Sequence, residues 1–281
     1  MVGTLYVVAT PIGNLADVTL RALSTLREVD LIAAEDTRVT RKLLTHYGID
    51  TPTTPYHQHN LTRKTEQILE ALKAGKNIAL VSDAGTPGIS DPGYEIIRLA
   101  IANEIPVTAI PGPSAIINAL VLSGLPTSHF AFEGFPPRRT GERRKYFASL
   151  KDDAHTLIFY ESPNRLISML EDMKEVLGDR RIAIIREATK VFEEVHRGNI
   201  STAIERFTKV EPKGEITIVI AGAEVSVKSA SIEDIESTLL ELIKGGMSDR
   251  DAVHMASKLY PIAKKNIYRL MIEMKRRSED E

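Results

Sequence analysis

Apolar residues in this chain gather into short runs separated by stretches with helical spacing. Leu5-Tyr6-Val7-Val8-Ala9 is a compact apolar run that ends in Thr-Pro-Ile-Gly, the pattern of a buried strand entering a loop, and a helix is expected behind it at about 18–27. Further β-prone apolar runs lie at 30–34, 78–82 and 107–110, with helical periodicity at 39–47, 61–74, 93–103 and 114–122. Strands alternating with helices over 1–124 predict an α/β domain with a mostly parallel sheet covered on both faces. Ligands of such a sheet belong on the loops at the carboxyl ends of its strands.

The rhythm changes after residue 125. Strands are expected at 156–160, 181–186, 191–197 and 215–221, close enough together to include a hairpin, and helices at 140–150, 165–177 and 201–208. This is a second α/β domain, 125–222, with a mixed or antiparallel sheet. Residues 222–229 are small and polar, as in a linker. Beyond them, helical patterns at 232–244, 249–259 and 263–275, separated by Gly245-Gly246 and Tyr260-Pro261, predict a small helical C-terminal domain, 230–281. With a basic last helix it is helix-turn-helix-like, and an appendage for packing or dimerisation fits the same pattern.

At 281 residues the chain has room for two compact units and a small appendage. Without an apolar run near the roughly 20 residues that span a bilayer, or a basic and apolar leader, it is expected to be cytoplasmic and away from membranes. The sequence has no cysteine, which removes thiol nucleophiles, disulfides and zinc–thiolate sites. A net charge of -2 conceals two basic patches. Arg138, Arg139, Arg143, Arg144 and Lys145 form one, and Lys264, Lys265, Lys275, Arg276 and Arg277 the other. Either is a solvated face or a phosphate-binding surface.

The candidate chemistry lies in loops. Residues 82–93, Ser-Asp-Ala-Gly-Thr-Pro-Gly-Ile-Ser-Asp-Pro-Gly, join a strand to a helix. Their glycines permit close backbone approach to a ligand, and Asp91 with Pro92 is expected to start the next helix. The loop has neither the Gly-Lys-Ser/Thr of a P-loop nor the G-x-G-x-x-G spacing of a dinucleotide fold. Pro111-Gly112-Pro113-Ser114-Ala115 and Thr10-Pro11-Ile12-Gly13-Asn14 repeat the device, and three such loops on neighbouring strands would line one cleft.

Together with Ala34-Glu35-Asp36-Thr37-Arg38, Glu133-Gly134-Phe135, Phe159-Tyr160-Glu161-Ser162 and Arg186-Glu187-Ala188-Thr189-Lys190, these loops resemble the ribosomal RNA small subunit methyltransferase I family, a branch of the tetrapyrrole methylases. The resemblance runs in order over roughly the first 220 residues. It implies two domains of tetrapyrrole-methylase type with S-adenosylmethionine held in the cleft between them, and no metal. It also implies a homodimer that methylates the ribose 2'-hydroxyl of a cytidine in the decoding centre of small-subunit (16S) ribosomal RNA, free or in the 30S subunit. On matching positions the donor would meet Pro11, Ala84, Gly85, Thr86, Ile89, Ser114 and Ala115, with Glu161 and Ala188 closing the site. Wider tetrapyrrole methylases carry Gly-Pro-Gly-Asp and Gly-Asp-Pro where this chain has Thr-Pro-Ile-Gly-Asn and Gly-Thr-Pro. The lost acids point to the RNA branch. A tetrapyrrole or other small-molecule methyltransferase and a non-catalytic RNA-binding assembly factor are the competing readings.

A ribose hydroxyl needs a base, or a cation for the developing alkoxide, within about 3 Å. The catalytic candidates are Lys190, Asp36 and Glu187, at strand ends, with salt bridges and a helix cap as their structural alternatives. Asp83 is expected to orient donor or substrate, or to brace its loop. RNA contacts are expected at Arg38, Arg138, Arg139, Arg143, Arg144 and Arg165. His57 and His59 alternate as on a strand and would share a face, which suggests a metal site but for the want of clear carboxylate partners, and is most simply a surface or cleft wall. Leu166, Met169, Leu170 and Met173 have the spacing of a core stripe.

Overall fold

The structure, a computed structural model, describes residues 1–223, 232–260 and 262–279. Two compact units are present, Met1–Gly222 and Ala223–Glu281. The first unit holds two five-stranded sheets.

Strands β1 (Leu5–Val8), β2 (Leu31–Ala34), β3 (Thr53–Pro55), β4 (Ile78–Val81) and β5 (Val107–Ile110) form the first sheet in the order β3-β2-β4-β1-β5, all parallel. Both faces are covered. In β4, Ala79 and Val81 pack with α1 (Leu20–Glu28) and α2 (Thr37–His46), while Ile78 and Leu80 pack with α3 (Leu61–Lys73) and α4 (Tyr94–Ala102). An apolar run is the form a strand takes when both of its faces are buried. Strand β3 escapes a reading of the sequence because Thr-Thr-Pro has no such run. It lies at the sheet edge, where a proline that cannot donate to a ladder is tolerated.

The second sheet runs β6-β7-β10-β8-β9, with β6 (Phe130–Gly134), β7 (Thr156–Glu161), β8 (Arg181–Arg186), β9 (Glu194–Asn199) and β10 (Ile216–Ile220). Only β6 and β7 pair in parallel, and β8 and β9 form the expected hairpin. Helices α6 (Thr140–Ser149), α7 (Pro163–Leu177) and α8 (Ile200–Lys209) cover one face, and Leu166, Met169, Leu170 and Met173 of α7 are core as expected. The other face is covered by α5 (Ala115–Ser123), which leaves the first sheet after β5 and packs Ala119 and Leu120 against Ile158, Ala183, Ile185 and Val219. The fifth helix therefore ties the two sheets together. Strand β9 starts three residues later than the apolar pair Val191-Phe192 suggests, because that pair lies exposed in the preceding turn.

Helices α9 (Ile232–Lys244), α10 (Asp249–Leu259) and α11 (Lys264–Glu279) make the second unit around Ile235, Leu239, Val253, Ala256, Ile267 and Met271. The linker expected at 222–229 falls almost wholly outside the described residues. Among the described residues no helix is long and apolar enough to cross a membrane.

Candidate active site

Because β4, β1 and β5 are adjacent and parallel, the loops after them leave the sheet at one end, side by side. They are stitched together. Thr10 and Gly85 exchange backbone hydrogen bonds of 2.9 and 3.1 Å, and the Thr10 hydroxyl donates to the Ser82 carbonyl at 3.1 Å. A Cβ on Gly112 would lie 3.0 Å from the Ala9 Cβ, so the third loop is pressed onto the first. The first loop also meets the turn after β8. A Cβ on Gly13 would lie 2.6 Å from Lys190 Cγ and 2.8 Å from both the Ala188 carbonyl and the Thr189 hydroxyl. Only glycine permits that approach. The turn itself is held in an unusual backbone state, with φ of +51° at Glu187 and +64° at Thr189.

These contacts surround a cavity of about 620 Å³, within the range of small-molecule sites. One wall is Ile12, the loop from Ala84 to Thr86, Ile89, Ser90 and Asp91, and the start of α5 at Ser114 and Ala115. The facing wall comes from the second sheet and its loops and includes Phe130, Phe132, Phe135, Tyr160, Glu161, Ala188 and Glu215. The cavity thus gathers Ala84, Gly85, Thr86, Ile89, Ser114, Ala115, Glu161 and Ala188 from the expected donor contacts. Pro11 and Asp83 are not among its lining residues.

Asp83 is instead a brace. Its carboxylate accepts from the Asp36 backbone at 3.0 Å, and its own N–H donates to Glu35 at 3.3 Å, which clamps the ends of β2 and β4 together. Asp36 caps α2 by accepting from Arg38 N–H at 2.8 Å and also forms an ion pair with the Arg38 guanidinium at 2.7 Å. Hydrogen bonding to Arg38 holds the Asp36 carboxyl down at about 2, so it is a poor proton acceptor near neutrality.

Glu187 and Lys190 also lie outside the cavity lining. Lys190 Nζ reaches Glu187 at 2.8 Å and Glu215 at 3.3 Å, and Glu187 accepts from the Glu215 N–H at 3.0 Å. Burial alone would lower the Lys190 pKa, but the hydrogen bond to Glu187 and the charge of Glu215 raise it. Hydrogen bonding to Lys190 in turn lowers that of Glu187. The pair is a latch that fixes Gly214 and Glu215, which do line the cavity.

Two features of the cavity are hidden in the sequence, Asp91 and the aromatic wall. Asp91 is expected there to cap α4, but Gly93 is the cap, at φ +155°, and Asp91 lines the cavity. Burial, reinforced by the charge of Glu35, raises the Asp91 carboxyl to about 6. Tyr160 is pushed up to about 12 by burial and by the charges of Asp91 and Glu215, so its hydroxyl stays neutral. Asp91, Phe135 and Tyr160 lie inside segments that carry the family resemblance, but nothing local tells that they meet, since the cavity assembles them from separate loops.

The basic patch divides. Arg143 is a correction to the expected RNA contacts. It is 2% exposed, and its Nε donates to Asp172 at 2.7 Å within α6 and α7. Arg144, half-buried, reaches Asp172 and Glu175 at 2.7 Å each. Arg165 is likewise turned inward, bonded to the Pro136 and Pro137 carbonyls at 2.9 and 3.2 Å and paired with buried Glu161 at 3.1 Å. Arg138, Arg139 and Lys145 remain exposed, as does Arg38, apart from its pair with Asp36. His57 and His59 do not share a strand. His57 precedes a short 3-10 turn, Gln58–Asn60, and the side chain of His59 is outside the described residues.

Residues 4–204 match the tetrapyrrole (corrin/porphyrin) methylases. A ribosomal RNA small subunit methyltransferase I from Synechocystis sp. is 46% identical over 274 residues, 97% of this chain and 98% of that one. Its namesake from Thermotoga maritima is 50% identical over 222 residues, 79% of this chain and all of the relative. A cobalamin biosynthetic enzyme, cobalt precorrin-4 methyltransferase, shares the fold with a TM-score of 0.61 at 16% identity, covering 78% of this chain and 94% of that one. The chain belongs to the tetrapyrrole methylases and, within the match to its curated relatives, to the ribosomal RNA small subunit methyltransferase I family.

Proposed function

We propose that this protein transfers the methyl group of S-adenosylmethionine to the ribose 2'-hydroxyl of a cytidine in the decoding centre of 16S ribosomal RNA. The observation that carries the reading is the cavity ringed by the loops after β4, β1 and β5, with exposed Arg138 and Arg139 on the polypeptide that leaves its far wall at Phe135. The lining suits the donor. The Gly-rich segment from Ala84 to Thr86 and the first turn of α5 offer backbone groups and small side chains, while Ile12, Ile89 and Ala188 offer apolar contact. The cofactor supplies an electrophilic methyl group on a sulfonium.

The rest falls to the chain. Alignment of the hydroxyl with that methyl group is the main requirement of an in-line displacement, and the Glu187–Lys190 latch serves it by fixing the cavity wall. Asp91 is the proton acceptor in this reading, because its carboxylate is inside the cavity with a pKa of about 6, close to the optimum for a general base near neutrality. Arg138, Arg139 and Arg38 contact RNA phosphate. The same reading includes a cytoplasmic homodimer acting on small-subunit RNA or the 30S subunit. Incubation with labelled S-adenosylmethionine and 30S subunits that lack the modification is the test. Label in a cytidine ribose is expected, and label in a base or no label in the RNA rejects the proposal.

A further inference from the structure

We infer that Phe135 is a stacking platform for the nucleobase of the target nucleotide, drawn out of its helix so that its ribose enters the cavity. This rests on the RNA reading above and adds the element that holds the acceptor.

A 2'-hydroxyl is displayed in the minor groove of an RNA helix, but to reach a methyl donor recessed in a cavity its nucleotide has to leave the stack, and unstacked bases are commonly received on aromatic rings. Phe135 lines the cavity yet is 59% exposed. Its ring lies 5.5 Å from that of Tyr160, which packs edge-on against Phe132 at 4.9 Å. The ring is therefore the outermost member of an aromatic wall, with one side left to solvent.

It is also held firmly. Gly134 turns the backbone at φ +65°, and Pro136-Pro137 stiffens the chain beyond the ring. Arg165 grips both proline carbonyls and is anchored by buried Glu161. A charge pair inside the fold thus serves to present an apolar ring outside it, where burial gives no return. Directly after the prolines come Arg138 and Arg139, both exposed. A fixed ring followed by two cations matches a base followed by its phosphates, the combination that single-stranded nucleic acid requires.

Full-length Phe135→Ala and Phe135→Trp proteins provide the test, with three readouts: methylation of unmodified 30S subunits, affinity for S-adenosylmethionine, and turnover-independent binding of a small-subunit RNA fragment. Phe135→Ala is expected to lower kcat/KM for the subunit and to weaken RNA binding by about tenfold or more, with donor affinity unchanged. Phe135→Trp restores both. Unchanged RNA binding and kinetics in Phe135→Ala overturn the inference, and so does a parallel loss of donor affinity, which would make the ring a wall for the donor's adenine. If wild-type protein binds RNA through Phe135 but labels no ribose, the proposed reaction falls and the platform stands. If it labels ribose and Phe135→Ala is indistinguishable from it, the reverse holds.

Discussion

Thr10 and Gly85 are bonded to each other through both backbone groups, at 2.9 and 3.1 Å, and so the first and second loops behave as one piece. The pairing uses a Gly85 conformation at φ +75°. A Cβ there would have room, with its nearest contact 3.6 Å away at Ile12. Gly85→Ala therefore tests the backbone alone. It is expected to cost about 1–2 kcal/mol of stability, since a side chain disfavours left-handed φ by about that amount. It should also weaken S-adenosylmethionine binding, because relaxation of the turn shifts Ala84 and Thr86 in the cavity wall. Thermal denaturation and calorimetric titration of the donor would measure the two effects, and an unchanged midpoint would contradict the first.

Two arginines one helical turn apart should behave oppositely. Arg143 is buried with Asp172, whose other oxygen accepts from Arg144, whereas Arg139 points to solvent beside Glu142. Removing one partner of a buried pair typically costs about 3–5 kcal/mol when the other charge is left stranded. Arg144 stays on the other Asp172 oxygen, so Arg143→Ala is expected to lose stability towards the lower end of that range. Arg138→Ala with Arg139→Ala should leave the denaturation midpoint nearly unchanged, since exposed pairs contribute about 0–1 kcal/mol. It should also reduce the magnitude of the log–log salt slope of RNA binding by about 1–2. Equal destabilisation by the two sets of changes would be inconsistent with this division.

That contrast marks the limit of what the sequence discloses. Apolar runs and helical spacing locate most strands and helices to within a few residues, because burial on both faces of a parallel sheet leaves a continuous imprint at Ile78–Val81 and Leu5–Val8. The loop glycines are equally legible, since a Gly/Pro cluster at a strand end has few other uses. A run of arginines carries no such information. Whether Arg143 faces solvent depends on Asp172, 29 positions further on, and local periodicity says nothing about that pairing. Asp91 misleads for a related reason. Asp-Pro before a helix is an ordinary capping signal, and only the cap at Gly93 releases the carboxylate to the cavity.

The basic end of the chain gives a separable expectation. Lys264, Lys265, Tyr268 and Arg269 of α11 are exposed, and among the described residues these three cations make no ion pair, while Lys275 and Arg277 are engaged by Asp249 and Glu236. The Thermotoga maritima relative is matched over its whole length by 222 residues, so it has no room for a further unit of this kind. Replacing Lys264, Lys265 and Arg269 with Ala is accordingly expected to leave kcat at saturating RNA unchanged. RNA affinity should fall, with a salt slope smaller in magnitude by about 2. A drop in kcat with an intact salt slope would assign the unit to the reaction itself.

Asp91 connects the site to pH in a way that two measurements can separate. Its folded pKa, about 6, stands above the ordinary aspartate value of 3.8, chiefly through burial. A raised carboxyl contributes stability while both states are protonated, below about 3.8, and that contribution is lost as pH rises through about 6. Asp91→Asn should thus match the wild type at about pH 3 and exceed its denaturation midpoint at about pH 7.5. Activity should run the other way. If Asp91 takes the hydroxyl proton, wild-type kcat rises with pH through about 6 and then levels, whereas Asp91→Asn is slower by roughly 10²–10⁴-fold and has lost that limb. A variant that is more stable at neutral pH, binds the donor normally and has a flat, depressed rate profile would identify the carboxylate as the base. A variant with an undiminished rate would leave Asp91 as a charge tolerated in the cavity for some other reason.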